Sequence, residues 1–355
     1  MTGRSRLLLG LALALLPGTA HAETLYEFPA RIDSHEHLRI EASGDIEVIQ
    51  PLISAFQSYY PAISVTYGDS LTNDLYEKLA KACQDPAPMA DLVFSSAVDH
   101  MVRLANDGCA AERPSSGGVI VPDQENFRNE VFGFSFEPAV IVYNRRLLPK
   151  KDVPRNRDQL ITLVRDNPQA YSGKIGTYDI AASGIGYLFG FFDAEQSSGF
   201  GRLIEAFGRA KVRRFCCTGE LLASIESGET LIGYNLLGSY AARRMAEGAP
   251  IGIVLPSDYT LVLSRAAFVP KYAANARNGH RFLDFLLSEE GQDAAARSFL
   301  FSKNRPFPAG VEGPVAESQR GVFRPIPLSP ALVLVTDREK RRHFLEEWDQ
   351  AFGPR

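Results

Sequence analysis

The sequence predicts an α/β protein with two lobes, each a mostly parallel sheet flanked by helices. Three observations lead to this fold class. A strand, a short polar turn and a helix follow one another three times before residue 110, which is typical of a parallel sheet. Similar units recur after residue 170, beyond a long extended segment. Roughly 330 residues remain behind an N-terminal leader, which is more than one hydrophobic core usually serves.

The three units of the first lobe follow from residue patterns. Alternating apolar residues predict the strands, and apolar residues at helical spacing after a polar turn predict the helices. In order, we expect strand 38–42, turn 43–45 and helix 46–59; strand 63–67, turn 68–70 and helix 73–83; strand 91–94, turn 95–96 and helix 98–107.

Polar residues follow each of these strands. Ligands of parallel α/β sheets bind outside the carboxyl ends of the strands, so we expect the turns at one rim. The first-lobe residues at that rim are Ser43, Gly44, Asp45, Asp69, Ser70, Ser95 and Ser96. Helix capping explains each one alone, whereas three polar turns on one sheet edge together indicate a binding site.

The rest of the chain is organised around residues 175–190, IGTYDIAASGIGYLFG. This stretch predicts strand 175–180, a small-residue turn at 181–186 and a helix from Tyr187. The first N–H groups of such a helix, with its dipole, can bind an anion. Ser183 can cap the helix, and Gly184 and Gly186 would let a ligand approach the backbone. An ordinary strand-to-helix turn with a serine cap is the alternative.

A second strand–turn–helix unit follows in the second lobe, with strand 230–234, turn 235–238 and helix 239–247. It places Tyr234, Asn235, Ser239 and Tyr240 near the same rim. Two extended stretches, 132–144 and 260–268, are interpreted as the crossings between the lobes. We therefore expect the first lobe at 23–138 and 266–355 and the second at 139–265, with the proline-rich segment 305–330 against the first lobe.

The first 22 residues have the pattern of a signal peptide. Arg4 and Arg6 precede an apolar run at 7–16, and Ala20-His21-Ala22 fits the small-x-small cleavage rule, so we expect cleavage after Ala22 and export. Removal of the two arginines leaves 36 basic against 42 acidic residues. This mild acidity argues against nucleic acid or an anionic membrane as a partner.

Four cysteines enter an oxidising compartment after export. Cys83 and Cys109 follow helices on either side of one strand, so their ends could meet, and a Cys83–Cys109 disulfide is our hypothesis. Cys216 and Cys217 are adjacent and have no CxxC or histidine-rich companion. We interpret them as buried small apolar residues or as a vicinal bridge, and not as a zinc site.

The motifs, in their order, resemble type 2 periplasmic solute-binding proteins of ABC transporters, in the cluster of ferric-iron, sugar-phosphate and phosphoglycerate binders. The stretches that carry the resemblance are IEASGDIEVIQPLISAFQ at 40–57, GFSFEPAVIVYN at 133–144, GTYDIAASGIGY at 176–187, GYNLLGSYAARR at 233–244, IVLPSDYTLVLSRAAFVPKYA at 253–273 and RFLDFLLSEEGQ at 281–292. The resemblance implies the two-lobed fold with two hinge crossings, a periplasmic location, and capture of a small solute for an inner-membrane permease or a sensor histidine kinase.

The resemblance also lets the ligand classes be compared. Ferric binders of this cluster usually offer two consecutive tyrosines, whereas this chain has Ser239-Tyr240, so Tyr240 would be the one phenolate ligand if iron were bound. A phosphate ester or carboxylate fits better, held by the hydroxyl and N–H groups of the rim, with Arg243, Arg244 or Arg265 as a compensating cation. Asp45 and Asp69 would repel an anion unless they bind its hydroxyl groups.

Two other classes of function were weighed. A pure sensor would use the same fold to dock on a histidine kinase. An enzyme would need a nucleophile–base pair or a metal set, and the sequence has no GxSxG, HExxH or P-loop motif. We therefore expect a monomeric binding protein without a cofactor and not an enzyme.

Overall fold

The computed structural model describes residues 23–84, 89–114, 121–301, 307–315 and 322–352. The expected signal peptide and its cleavage site lie outside these residues. Within the described part of the chain, no helix has the length and apolar character needed to cross a membrane.

The first lobe is a seven-stranded sheet with helices on its faces. Its strands lie in the order β1-β3-β2-β4-β13-β6-β5. They are β1 (Thr24–Phe28), β2 (Glu36–Ala42), β3 (Ile63–Asp69), β4 (Leu92–Ser95), β5 (Asn126–Phe127), β6 (Val131–Gly133) and β13 (Ala266–Phe268). Strand β2 pairs in parallel with both β3 and β4, as the repeated strand–turn–helix units predict. The helices of this lobe are α1 (Ile46–Tyr59), α2 (Thr72–Gln84), α3 (Val98–Asn106), α10 (Ala276–Leu287), α11 (Glu289–Arg297) and α12 (Ala331–Val335).

The second lobe is built around β7, whose eight residues are all buried. Its sheet has the order β14-β11-β7-β10-β8-β9, and β12 pairs with β7 and β15. The strands are β7 (Glu137–Asn144), β8 (Ile175–Tyr178), β9 (Arg213–Phe215), β10 (Ile232–Leu237), β11 (Ile251–Val254), β12 (Thr260–Leu263), β14 (Val311–Glu312) and β15 (Phe323–Pro325). The helices are α4 (Arg157–Asp166), α5 (Pro168–Tyr171), α6 (Gly184–Gln196), α7 (Phe200–Arg209), α8 (Thr218–Ser227), α9 (Gly238–Ala246) and α13 (Arg338–Phe352).

The chain crosses between the lobes where β6 leads to β7 and where β12 leads to β13. The two crossings bond to each other: Phe134 N–H donates to the Arg265 carbonyl oxygen at 3.0 Å. Arg265 N–H donates in turn to Ser135 Oγ at 2.9 Å. These bonds lie in the gaps between β6 and β7 and between β12 and β13, and each extended stretch predicted as one strand is two strands in the structure.

The C-terminal part of the chain departs from the expected division into lobes. Strand β14 pairs in parallel with β11, and β15 with β12, so both belong to the second sheet. Helix α13 packs on α7 of the second lobe, where Trp348 and Phe352 are buried. The expectation that 266–355 and the proline-rich segment lie wholly with the first lobe is therefore wrong. Unpaired edge groups of the second sheet are satisfied by these late strands, which periodicity alone does not reveal.

Cys83, at the end of α2, forms a disulfide with Cys109, which follows α3. This is the pairing that the sequence favours. Cys109 is 2% exposed, so the disulfide links the ends of α2 and α3 within the core of the first lobe.

Candidate functional site

A cavity of about 220 Å³ lies between the two lobes, at the carboxyl ends of their parallel strands. It is lined by Thr24, Ser43, Gly44, Asp45, Asp69, Ser70, Leu71, Thr72, Ser96, Ser183, Ile185, Cys216, Cys217, Thr218, Leu237 and Tyr240. This is the location that the open α/β sheet rule predicts for a ligand.

Six helices begin at this cavity. Lining residues lie at or next to the first turn of α1, α2 and α3 in the first lobe, and of α6, α8 and α9 in the second. The first N–H groups of a helix have no acceptor within the helix, and the dipole adds partial positive charge at the same end. Six such ends contribute partial positive charge to a cavity whose described lining also holds two carboxyl groups, Asp45 and Asp69.

The lobes touch each other across the cavity. Gly184 N–H donates to Thr72 Oγ1 at 2.8 Å, and Asp45 N–H donates to Tyr240 Oη at 3.1 Å. Asn73 Nδ2 donates to the carbonyl oxygens of Ala181 and Ala182 at 3.0 and 2.9 Å. Each bond joins a first-lobe residue to a second-lobe residue, so the structure represents a closed arrangement of the lobes.

Two carboxyl groups, Asp45 and Asp69, face the cavity. Burial raises the pKa of Asp69 from 3.8 to about 7, against the opposing effect of the hydrogen bond from Gly44 N–H. Burial and the charge of Glu47 raise the pKa of Asp45 as well. Near neutral pH, Asp69 can therefore donate a proton to a ligand oxygen or accept a bond from a ligand hydroxyl group.

The nearest cation, Arg265, lies behind the wall. Its side chain has no exposed surface, and its Nε donates to Glu137 Oε1 at 2.9 Å. Its guanidinium lies 5.3 Å from the Tyr240 ring centroid, and its Nη1 donates to the Ser43 carbonyl oxygen at 3.3 Å. Arg265 thus supports two residues of the cavity wall and does not line it.

The other two arginines proposed as compensating cations also lie away from the cavity. Arg243 pairs with Glu247 at 2.8 Å, and Arg244 lies 3.6 Å from Glu226. Among the described residues that line the cavity, none is basic. The expectation that an arginine lines the cavity is therefore not met by the described lining residues.

The oxygen ligands that the cavity lining offers to a cation include one phenol, Tyr240, and two carboxyl groups, Asp45 and Asp69. Burial raises the pKa of the Tyr240 phenol above its usual value, and the negative charge of Asp45 raises this pKa further. Burial likewise raises the pKa of Tyr67 well above its usual value. In the described part of the chain, the His, Cys, Asp and Glu side chains close enough to share a metal are Cys216, Cys217 and Glu220.

Both of those sulfurs are already bonded to each other. Cys216 and Cys217 form a disulfide between adjacent residues, immediately before α8. This is one of the two states left open by the sequence, and it places a disulfide in the wall of the cavity.

Eight of the residues expected at the rim line the cavity together. They are Ser43, Gly44, Asp45, Asp69, Ser70, Ser96, Ser183 and Tyr240. Ser183 Oγ accepts from Gly186 N–H at 3.2 Å, so it also caps α6 as expected. Ser95 lies one layer behind, where its Oγ is 2.7 Å from Ser43 Oγ.

Tyr234 and Asn235 belong to a buried network in the second lobe and do not line the cavity. Tyr234 Oη and Asn235 Nδ2 donate to Asp193 Oδ2 at 2.7 and 2.6 Å, and Arg157 Nη2 donates to Asp193 Oδ1 at 2.9 Å. The predicted turn at 235–238 is a bulge inside β10, with Asn235 at a φ of 61°. The bulge turns both side chains towards Asp193 and away from the cavity.

Four more expected residues also lie outside the cavity lining. A β-carbon on Gly184 would lie 2.8 Å from His100 Cε1, so this glycine permits contact between the lobes. A β-carbon on Gly186 would lie 2.4 Å from Tyr178 Cβ, so this glycine permits helix–strand packing. Tyr187 Oη donates to the Val335 carbonyl oxygen at 3.1 Å. Ser239 has no exposed surface.

Sequence reasoning missed several lining residues. These are Thr24, Leu71, Thr72, Ile185, Cys216, Cys217, Thr218 and Leu237. Thr72 and Thr218 each open a helix, so the rule that located the other turns could have found them. Thr24 reaches the cavity because β1 pairs with β3 and sets Thr24 opposite Asp69.

The two-lobed fold with a cavity between the lobes is that of the solute-binding proteins of ABC transporters. Residues 43–293 match the family described as bacterial extracellular solute-binding protein, and the chain belongs to that family. Its members bind solutes for ABC transporters and are not enzymes. Comparison with curated protein sequences finds no significant match.

Solved structures give the same classification. The substrate binding protein of the ABC transporter from Agrobacterium tumefaciens is 34% identical, with coverage of 94% of this chain and 99% of that chain and a TM-score of 0.85. The periplasmic binding protein AfuA from Actinobacillus pleuropneumoniae, with fructose-6-phosphate bound, is 18% identical in sequence. The match covers 90% of this chain and 99% of that chain, with a TM-score of 0.70. Iron-bound HitA from Pseudomonas aeruginosa is 16% identical in sequence. The match covers 88% of this chain and 99% of that chain, with a TM-score of 0.66. The latter two share the fold.

Proposed function

We propose that the protein captures a small anionic solute that also carries hydroxyl groups, such as a phosphate ester or a hydroxycarboxylate, and delivers it to an inner-membrane ABC permease. The single observation that supports this proposal is the convergence of six helix N-termini on the cavity between the lobes. The anionic group would accept bonds from the lining Ser and Thr hydroxyls and would be stabilised by the partial positive charge of the helix ends, where the N–H groups of Gly184 and Gly186 already have protein acceptors.

The carboxyl groups of Asp45 and Asp69 would favour anions that carry hydroxyl groups over anions that do not. A fully charged, hydroxyl-free anion would meet Asp45 and Asp69 directly, at a cost that rises as both ionise. A solute with hydroxyl groups can instead donate to them. A sugar phosphate meets both requirements, and AfuA, which has the same fold, is described with fructose-6-phosphate bound.

Ferric iron is the less favoured ligand because the lining offers one phenol with a raised pKa and two carboxyls. The proposed partner is an inner-membrane permease, which would recognise the surface of the two lobes in their closed arrangement. A sensor histidine kinase is the alternative partner. Residues 1–22 would direct export and be cleaved off after Ala22, which N-terminal sequencing of the secreted protein can check.

A thermal-shift screen of the mature protein tests the proposed ligand class. The panel contains fructose 6-phosphate, phosphoglycerates, di- and tricarboxylates, inorganic phosphate and ferric citrate. A ligand at 100 times its Kd adds about 2.7 kcal/mol to the free energy of unfolding, which gives a readily measured rise in Tm. We expect a shift with a hydroxylated anion.

Ser183→Asp and Tyr240→Phe separate the two ligand classes. Aspartate still caps α6 but adds a negative charge to the cavity, so it should abolish the shift caused by an anion. Tyr240→Phe removes a phenol oxygen and should leave most of that shift. A shift seen with ferric citrate alone, lost in Tyr240→Phe and kept in Ser183→Asp, would overturn the proposal in favour of iron.

A further inference from the structure

The disulfide between Cys216 and Cys217 lies in the wall of the ligand cavity. Both residues are half-buried. Cys217 is the N-cap residue of α8, and Thr218, the first residue of that helix, also lines the cavity. A change in this bond therefore acts directly on the surface that would contact a solute.

The two disulfides differ in how much they are expected to contribute to the stability of the fold. Cys83 and Cys109 are 26 positions apart, and Cys109 is buried in the first-lobe core. Cys216 and Cys217 are one position apart. A crosslink restricts the unfolded chain more strongly when it closes a longer loop. Opening the Cys216–Cys217 bond should therefore leave the fold intact.

The surroundings favour thiol exchange at this bond. Thiolates are stabilised at helix N-termini, so the sulfur of Cys217, at the start of α8, is a suitable leaving group. Glu220 lies close by, and its Oε2 accepts from Cys216 N–H at 3.2 Å, so its carboxylate moderates this effect.

We propose that Cys216–Cys217 is a redox-modification site in the cavity wall, open to reduction by a dithiol while the chain stays folded. The attacking dithiol forms a mixed disulfide with one cysteine sulfur and releases the other as a thiolate. The second thiol of the dithiol then attacks the mixed disulfide and releases the remaining cysteine sulfur as a thiolate. The dithiol loses two electrons and two protons and becomes a cyclic or intramolecular disulfide, and the protein gains two thiols.

The reduced state changes the cavity as well as the bond. Two separate thiols replace a covalently fixed pair, and the turn before α8 loses its crosslink. A solute held between closed lobes would shield the bond from an attacking dithiol. This shielding, unlike the site itself, rests on the proposed function.

The test uses the full mature protein with increasing dithiothreitol, followed by alkylation and peptide mapping. We expect alkyl groups on Cys216 and Cys217 at dithiol concentrations that leave Cys83 and Cys109 bonded, with an unchanged circular dichroism spectrum. The Cys216→Ser/Cys217→Ser variant should fold and take up no label under these conditions. Appearance of all four thiols together, or labelling only in denaturant, would overturn the proposal.

A second arm separates this inference from the proposed function. With a screened anion at ten times its Kd, the opening rate should fall about tenfold, because only about one protein in eleven is unliganded. Selective opening that none of the screened anions slows would uphold the redox site and count against the proposed ligand class.

Discussion

Arg265 and Glu137 form a salt bridge in which neither side chain has exposed surface, with Nε 2.9 Å from Oε1. Glu137 begins the first strand after one crossing, and Arg265 ends the other crossing. Arg265 also contacts Ser43 of the first lobe and Tyr240 of the second. One buried cation therefore links both crossings to both walls of the ligand cavity.

Glu137→Gln should lower the free energy of unfolding by about 3 kcal/mol or more, because it leaves a buried cation without its counter-charge. Urea unfolding followed by circular dichroism measures this change. Glu205→Gln is the matched control, since Glu205 and Arg209 form an exposed pair, and it should change stability by less than about 1 kcal/mol. An equal effect in both variants would contradict the assigned role of the buried pair.

Asp69 should make stability fall as pH rises. Burial raises its pKa from 3.8 to about 7, so the folded state holds a proton that the unfolded state releases at lower pH. The contribution is complete below about pH 4 and is lost as pH rises towards about 7. Asp69→Asn should flatten this dependence by on the order of 1–2 kcal/mol, since partial exposure reduces the effect.

The measurement for Asp69 is urea unfolding of wild type and Asp69→Asn at several pH values. Asp158→Asn serves as the control, because the Asp158 side chain is 83% exposed. If wild type and Asp69→Asn keep parallel stability–pH curves, the inferred protonation of Asp69 is wrong.

Gly184→Ala should weaken solute binding by hindering closure of the lobes. A β-carbon there would lie 2.8 Å from His100 Cε1, and His100 is buried and stacked on Tyr76 at 4.4 Å between ring centroids. Overpacking of this kind costs about 1–3 kcal/mol, which corresponds to a rise in Kd of roughly 5-fold to 150-fold.

Gly201→Ala is the control for that substitution. Gly201 lies within α7, where an added β-carbon meets nothing within 4 Å, so affinity should not change. Calorimetric titration compares the two variants. Unaltered affinity in Gly184→Ala would show that the contact between the lobes tolerates a methyl group.

Replacing Cys83 and Cys109 together by serine should cost about 3–4 kcal/mol of stability, as chain-entropy estimates give for this separation. The same replacement of Cys216 and Cys217 should cost about 1 kcal/mol or less, because the closed loop is minimal. Thermal and urea unfolding of the two double variants provide the comparison. A larger loss from the adjacent pair would reverse the structural roles assigned to the two bonds.

Local residue patterns were sufficient to predict the elements whose structure depends mainly on their own sequence. Helix α1 has the predicted bounds, Ile46–Tyr59, because its apolar residues recur at helical spacing after a polar turn. The polar turns of the first lobe lie together at the cavity because parallel strands place their carboxyl ends at one edge.

Contacts between distant segments could not be predicted in this way. Tyr234 faces Asp193 and Arg157 because a bulge in β10 turns it away from the cavity. Gly184 N–H donates to Thr72 Oγ1 across the lobes, 112 positions away in the sequence. The return of α13 to the second lobe depends on burial of Trp348 and Phe352, which the amphipathic pattern of that helix does not assign to either lobe.

The most direct test of the central claim is a calorimetric titration of wild type and Ser183→Asp with the anion that gives the largest thermal shift. The uncharged parent compound, lacking the phosphate or carboxylate, is titrated alongside it. We expect wild type to bind the anion far more tightly than the parent compound. A negative charge added to the cavity lining in Ser183→Asp should raise the Kd for the anion by on the order of 100-fold. Equal affinity for the charged and uncharged compounds, or no effect of Ser183→Asp, would contradict the claim that the helix ends of this cavity hold an anion.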